Sequence, residues 1–594
     1  MVSGLLARLR GLFPRKPDLA RGLEALARND FAAALADLLP LAEAGNAEAQ
    51  YRVGVMYTQG HGVFQEFGEA GYWLRLAAGQ GHREAQYTLA HHLASGEGDT
   101  KPWRIPVKWY NNVKAVHEEA AEANRTLLFP HGLGIPQNAA EAVEWYRKAA
   151  EQGHAKAQSD LGVMYAGGHG VDADPVEAIH WYKLAAAQGN ATAQYNLGGM
   201  YATGKGVDAD IDEAMAWYRK AAEQDHVQAV LAIALLYQEG RGLPKDDAAA
   251  ALWFQRAAEL GDLRAQFEYG MICARGIGVE ENIRQAQHWW LKAAERGHAL
   301  AQYNLAILYS KGRLGTPDYG EAVAWFRKAA INGNVNAQMY LANLFSEGTL
   351  IPRDEVEAAE WYRKAAEAGN LKAQCRMAEL YNTGTGVPKS PKLAAEWVQR
   401  AAGQGDPEAQ FTLSVLCANG NGVPKDLQKA EEWCRKAAEQ GMANAQYTMG
   451  LVCATGRYGR KDVAEAKEWY RKAAEQNYVA AQINLGLLYL RGEDAEKNVA
   501  TAIHWFEQAA ENGNATAMIN LGLIYMSAEG VEADLAESYR WFTLAAASLP
   551  PGPEQAKVEN QISVVGKLIS STDMERANAL LEDWRARTAI RSAA

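Results

Sequence analysis

Long apolar runs are absent from this 594-residue chain. No stretch approaches the ~20 consecutive apolar residues of a membrane-crossing helix, so no such helix is expected. Cysteine is scarce: five residues do not make the disulfide framework of a small secreted scaffold. Cations do not predominate either. Sixty Lys and Arg against 71 Asp and Glu leave a net charge of −11, which argues against non-specific nucleic-acid binding. No Ser-x-x-Lys occurs, so the acyl-transfer signature of penicillin-recognising enzymes is missing. One near-match to a phosphate loop, Gly199–Gly206, has Gly206 after the lysine where Ser or Thr belongs, and it follows a helical pattern instead of a strand.

The amino-terminal stretch MVSGLLARLRGLFPRKP has too short an apolar run for a secretory signal and no small-residue cleavage site. Leu5, Leu6, Leu9, Leu12 and Phe13 nonetheless follow helical spacing among Arg8, Arg10, Arg15 and Lys16. Two readings stay open: an amphipathic helix touching anionic lipid or a partner through residues 4–13, or a frayed basic tail. A cytoplasmic location is the expectation.

What the chain has is a ladder. Fourteen tryptophans, from Trp73 through Trp109 and Trp145 to Trp541, stand at an unbroken spacing of 36 residues. A fixed period of this length predicts a solenoid, which buries its core between neighbouring repeats and can lengthen freely in one dimension.

Residues 154–189 show the unit. Ala157, Leu161, Gly162 and Tyr165 fall at helical spacing, and Gly168 and Gly170 then supply a helix end and tight turn. Asp174 suits an N-cap and Pro175 a first turn. A second helix carries Ala178, Trp181, Tyr182, Ala185 and Ala186 and stops at Gln188–Gly189. The residue 24 before each tryptophan is Ala in all 14 copies, which predicts close helix contact. The residue 16 before it is Tyr in eight and Phe, Leu or Cys elsewhere, an apolar slot of tolerant shape. The tryptophan itself is expected to be core. The cysteines Cys273, Cys375, Cys417, Cys434 and Cys453 each take a slot that is apolar or aromatic in most copies, and so read as small hydrophobes.

The pattern A-x-x-x-L-G-x-x-Y-x-x-G-x-G-V…A-x-x-W-Y-x-K-A-A-E-x-G resembles the Sel-one-like repeat (SLR) family, relatives of the tetratricopeptide repeat. The resemblance covers residues 46–549 and implies an all-α, superhelical α/α solenoid of fourteen 36-residue repeats, those at 82–153 degenerate. Residues 1–17 then form a basic tail, 18–45 a shortened capping hairpin, and 550–594 a closing helical segment. Some members are secreted and stitched by two cysteines per repeat, a pairing absent here, so a reducing compartment is expected. The family implies a non-catalytic scaffold or adaptor that docks a protein or peptide segment on its concave face. Catalytic, cofactor and metal residues are all expected to be none. A regulatory module tethered to a membrane or secretion complex through the amino terminus is the first alternative, and a hydrolase in the groove the second.

Alignment with that family places the first helix of each pair on the inner wall. The positions 22 and 18 before each tryptophan then supply candidate partner-binding residues: Tyr51, Tyr87, Tyr195, Phe267, Met271, Tyr303, Ile307, Phe411 and Tyr447. Polar residues such as Gln59, Glu239, Arg275 and Lys311 follow four positions on. Large aromatics offer contact area at low entropy cost, although the same rings could simply fill the space between helices.

The sharpest departure lies at 91–132. His92, Arg125, Thr126 and Pro106 replace repeat residues there, and Trp103 joins Lys101, Arg104 and Lys108 in a basic–aromatic cluster. Trp103 is therefore a tenth candidate, with drift in a supported repeat as the other reading. His91–His92 are neighbours on a helix and do not make a metal site.

Overall fold

The computed structural model describes residues 16–96, 134–457, 461–492, 497–528 and 530–593, with side chains as far as Arg587. Residues 4–13 and Trp103 lie outside these. The described residues are all-helical and fall into two units, residues 1–298 and 299–594. Each unit is an α/α solenoid of antiparallel hairpins.

A regular hairpin joins Ala155–Gly167 to Pro175–Ala187. Its first helix ends on Gly168 in the left-handed region (φ 70°). Gly170 follows with φ 72°, where a Cβ would lie 2.3 Å from the backbone of Ala139 in the preceding hairpin. Only glycine satisfies both the torsion and the approach. Asp174 then accepts from the Val176 and Glu177 amides and starts the second helix, and its own N–H donates 2.9 Å to Tyr165 O.

The deepest slot belongs to the residue after the ladder tryptophan. Phe254, Phe326, Phe506 and Phe542 are fully buried there, as are the described alanines 24 before each tryptophan except Ala409, which is 6% exposed. In-helix glycines make room for that side chain: a Cβ on Gly162 would stand 2.6 Å from the Tyr182 ring. Tryptophan is core only in part. Trp73, Trp181, Trp289, Trp325, Trp361, Trp397, Trp469 and Trp541 are buried, while Trp145, Trp217, Trp253, Trp433 and Trp505 are half-buried. A cation lies over the ring in four of these five, Trp145, Trp217, Trp253 and Trp433. Lys220 Nζ sits 3.9 Å from the Trp217 ring centre, and Trp217 Nε1 donates 2.9 Å to Glu213.

The count of fourteen hairpins needs correction, because the described residues build thirteen. Helix Arg83–Ser95 packs directly on Ala139–Glu151, across a 43-residue connection where Ala155–Gly167 and Pro175–Ala187 have seven. The hydrogen bonds across this pair are those of an ordinary hairpin. Asn138 N donates 2.8 Å to Leu93 O, and Gln152 Nε2 donates 2.7 Å to Gln86 Oε1. The excess length is one period, so the tryptophan spacing passes over it unbroken.

Helices Leu19–Ala27 and Phe31–Glu43 precede the first repeat, tied by Arg21 to the buried Asp37. Pro553–Leu568 and Ser571–Ala593 pack on the last second helix, Leu535–Ser548. There Trp584 meets Trp541 edge to face at 5.0 Å, and the buried Arg540 guanidinium lies 4.2 Å from the Trp541 ring centre while pairing with Glu537 at 2.8 Å.

Candidate docking face

All nine described candidates lie on first helices and are half-buried. Most of their aromatic rings are already engaged within the fold. Tyr51 stacks on His82 at 4.8 Å, Tyr87 on His154 at 4.4 Å, Tyr195 on His226 at 5.1 Å and Phe267 on His298 at 4.8 Å. Tyr447 meets Tyr478 at 5.0 Å, and Tyr303 meets Phe326 edge-on at 5.7 Å. Phe411 packs against the core around Cys434 and Ala445. Met271 and Ile307 stand in the row 18 before tryptophan, with Arg275 and Lys311 exposed beyond them.

The stacking histidines have a second task that the sequence did not reveal. His82, His154 and His226 cap the following first helices, Nδ1 accepting from Ala85, Ala157 and Ala229 N at 3.1, 3.0 and 3.3 Å. A nitrogen that accepts carries no proton, so the capping imidazole is the neutral Nε2–H tautomer. At His82 and His154 that Nε2 meets Glu48 and Glu84 at 2.8 and 3.1 Å. Thr192 and Arg264 replace the glutamate before His226 and His298. There burial holds the imidazole below its usual 6.5. The signal was available: histidine caps occur only where an aromatic stands on the preceding first helix, while Ser159, Leu231, Met339, Cys375 and Ile483 face Asn or Asp caps.

A second element missed by sequence reasoning is a ladder of buried glutamines. Gln158 Nε2 donates 3.0 Å to Ala150 O of the preceding second helix, and its Oε1 accepts 2.7 Å from Gln188 at the end of its own. The same pair of bonds recurs at Gln50, Gln194, Gln374, Gln410 and Gln446. Three rungs are incomplete, since Gln266, Gln338 and Gln482 have buried Oε1 atoms with no donor. The cause is local. Arg296, Ala368 and Asn512 stand 30 residues on, where Gln188 and its counterparts, and Asn332 for Gln302, donate an amide. Arg296 donates to Gly261 O and Asn512 to Gln508 O instead.

Charge on the first helices is uneven. In residues 1–298 they carry Arg52, Asp160 and Glu268 among others, each half-buried. Burial raises the Asp160 carboxyl, whose neighbours include the Tyr87 and Tyr146 hydroxyls and His91. Between 407 and 527 the outward positions 25, 21, 18 and 14 before tryptophan hold two charged residues, Glu408 and Arg491. Val415, Leu451 and Leu523 are exposed there at 41, 36 and 39%.

Of the five cysteines Cys375 is exposed, and the burial it does have raises its thiol. Cys273, Cys417, Cys434 and Cys453 are buried, and burial pushes the Cys434 and Cys453 thiols up to about 12. Among the described residues no group of three His, Cys, Asp or Glu could hold a metal ion, and no helix is long and apolar enough to cross a membrane. An open recess of about 640 Å³ lies between Asp212, Arg219, Tyr237 and Lys245, with mixed charge at its rim.

Comparison with known families finds the Sel1 repeat model at 13 segments, beginning with 47–82, resuming at 129–154 and running without a gap from 155 to 548. The interruption, 83–128, overlaps the 43-residue connection. Among solved structures, a protective antigen of uropathogenic Escherichia coli described as displaying an SLR fold is 29% identical, covering 90% of this chain and 98% of that one, with a TM-score of 0.47. A Sel1 repeat protein from Oxalobacter formigenes is 32% identical over 58% of this chain and 89% of its own, with a TM-score of 0.43. No curated protein matches.

Proposed function

Because the chain belongs to the Sel1 repeat family, we propose that it is a non-catalytic scaffold that holds a segment of a partner protein along the exposed side of its first helices. The supporting observation is where the copies differ. The buried alanines, the glutamines and the second-helix tryptophans recur with little change, while the outward first-helix positions run through Val163, Gly199, Leu235, Ile307, Asn343, Glu379 and Leu451. Packing explains a constant position. It does not require an outward one to alternate among aliphatic, amide and carboxylate groups.

Most of the aromatic candidates contribute as the floor of this face, since their rings are stacked within the fold. The row 18 before tryptophan, including Met271 and Ile307, supplies the contact, with the polar row four residues on setting register. Site-specific photo-crosslinking tests this. A benzoylphenylalanine at Val163, Ile307 or Leu451 is expected to trap the same partner, whereas one at the exposed second-helix residues Leu252 or Ile331 traps none. Adducts forming equally from both sets would sink the reading.

A further inference from the structure

We propose that the surface around Asp160 takes the guanidinium of an arginine carried by the docked partner segment. This rests on the docking reading above and names the chemistry of one contact on that face.

Three helices bring the site together. Tyr87 and His91 come from Arg83–Ser95, Tyr146 from Ala139–Glu151 and Asp160 from Ala155–Gly167. The Tyr87 and Tyr146 rings stand 6.0 Å apart, and His91 and His154 flank Tyr87 at 6.3 and 4.4 Å. The half-buried Asp160 carboxyl lies among the two tyrosine hydroxyls. One turn on, Val163 is 40% exposed, so this side of the helix is open.

Packing does not ask for a charge at this place. Asp160 stands 21 residues before its tryptophan, where Asn196, Asn304, Asn484 and Asn520 stand in other copies. An amide is enough to partner the tyrosine hydroxyl there, as Asn196 does for Tyr182 and Asn484 for Tyr470. The carboxylate that replaces it is raised by burial, and among the described residues no Lys or Arg forms an ion pair with it. Its positive neighbours are two histidines, and His154 is engaged elsewhere, capping Ala157 N and meeting Glu84. A carboxylate accepts about four hydrogen bonds, so two tyrosine hydroxyls leave room for a further donor pair.

The fold supplies a precedent for the cation. Arg376 holds the same position in its own copy, and its guanidinium carbon lies 6.0 Å from the Tyr362 ring centre. Tyr362 stands to Arg376 as Tyr146 stands to Asp160, 14 residues before it. The tyrosine at this slot therefore accepts a guanidinium, and at Asp160 the matching group is supplied by the ligand. Arginine fits better than lysine, because a planar guanidinium pairs bidentately with a carboxylate and also stacks on an aromatic face. A metal ion does not fit, since no three His, Cys, Asp or Glu converge among the described residues.

The test selects random dodecapeptides displayed on phage against the full chain, then measures the resynthesised peptides by fluorescence anisotropy. Selected peptides are expected to share an arginine, and citrulline in its place should weaken binding at least about fivefold. Asp160→Asn, which installs the residue of four other copies, should abolish that difference. Glu268→Gln removes the same charge from the same position above Phe254 instead of a tyrosine, and should preserve the difference. The proposal is overturned if no arginine is enriched, if citrulline binds equally, or if Asp160→Asn keeps the preference. It is also overturned if peptides bind only after Lys101, Arg104 and Lys108 are changed to Gln, because the chain would then fill the site itself. Photo-crosslinks from Val163 and Ile307 with no arginine preference would remove this inference and leave the docking reading standing; absence of crosslinks and of selected peptides would remove both.

Discussion

The two units share one hairpin and differ in what they add to it. Residues 1–298 contain 12 of the 13 histidines, place three of them as helix caps under aromatic rings, and carry charged groups on the first helices. Residues 299–594 cap with Asn and Asp at Asn334, Asn370, Asp406 and Asn514, and their last four first helices are almost uncharged. One packing scheme therefore supports two surfaces: a titratable one and a neutral one. The buried positions do not register the difference, because caps and outward residues sit outside the core that repeats.

The largest effect tests what the units have in common. Phe254→Ala and Phe506→Ala each empty a fully buried slot, one per unit. Each should cost about 3–5 kcal/mol locally, seen as faster amide exchange in the flanking hairpin. Unequal costs would mean that the two cores are not equivalent.

A smaller effect concerns the glutamine ladder. Gln158→Leu removes two good bonds, to the Ala150 carbonyl and from the Gln188 amide, for a loss of about 1–3 kcal/mol. Gln338→Leu should cost clearly less, since its Oε1 already lacks a donor. Conversely, Ala368→Gln should stabilise by about 0.5–1.5 kcal/mol by completing that rung, as thermal melts can show.

Acid should separate the units. The His226 imidazole is held below 6.5 by burial, so its stabilising contribution is complete above pH 6.5 and is lost as pH falls through its folded value. Protonation also removes the acceptor for Ala229 N, a cap of about 1 kcal/mol. Exchange of the Val227–Glu239 amides, corrected for intrinsic rate, should rise between pH 7 and pH 5. The His226→Asn variant should flatten that response, and the helices behind Asn370 and Asn514 should show none.

The smallest effect has the opposite sign. Glu66 takes an N-cap position without making the cap bond, and burial with Glu69 nearby raises its carboxyl to about 7. Its contribution is present below 4.5 and is lost as pH rises through 7. Glu66→Asp should restore the cap and gain a few tenths to about 1 kcal/mol at pH 8.

The hairpin, its glycines and the all-helical class were legible in the sequence because each rests on a local signal repeated many times. The hairpin number was not. An insertion of one period leaves Trp109 and Trp145 in phase, so spacing counts chain length and not hairpins. Tryptophan was expected to be core because it is the most regular residue, and five copies are only half-buried. The fully buried phenylalanines follow it, in a slot whose identity varies among Tyr, Phe, Trp, Val, Cys and Leu and faces a small residue in the described copies, as Gly270 faces Trp290 and Ser414 faces Cys434. Rings such as Tyr87 could be placed on the first helix, but not their stacking partners, which lie 31 residues away in most copies and 67 at His154.

The incomplete rungs have a consequence for how the array comes apart. A one-dimensional stack opens first at its weakest hairpins, and those at 263–295, 335–367 and 479–511 each lack the glutamine bond between their own two helices. These are fault lines. Unfolding is expected to start at them and spread outward in blocks, so the chain should melt as several short cooperative segments and not as one.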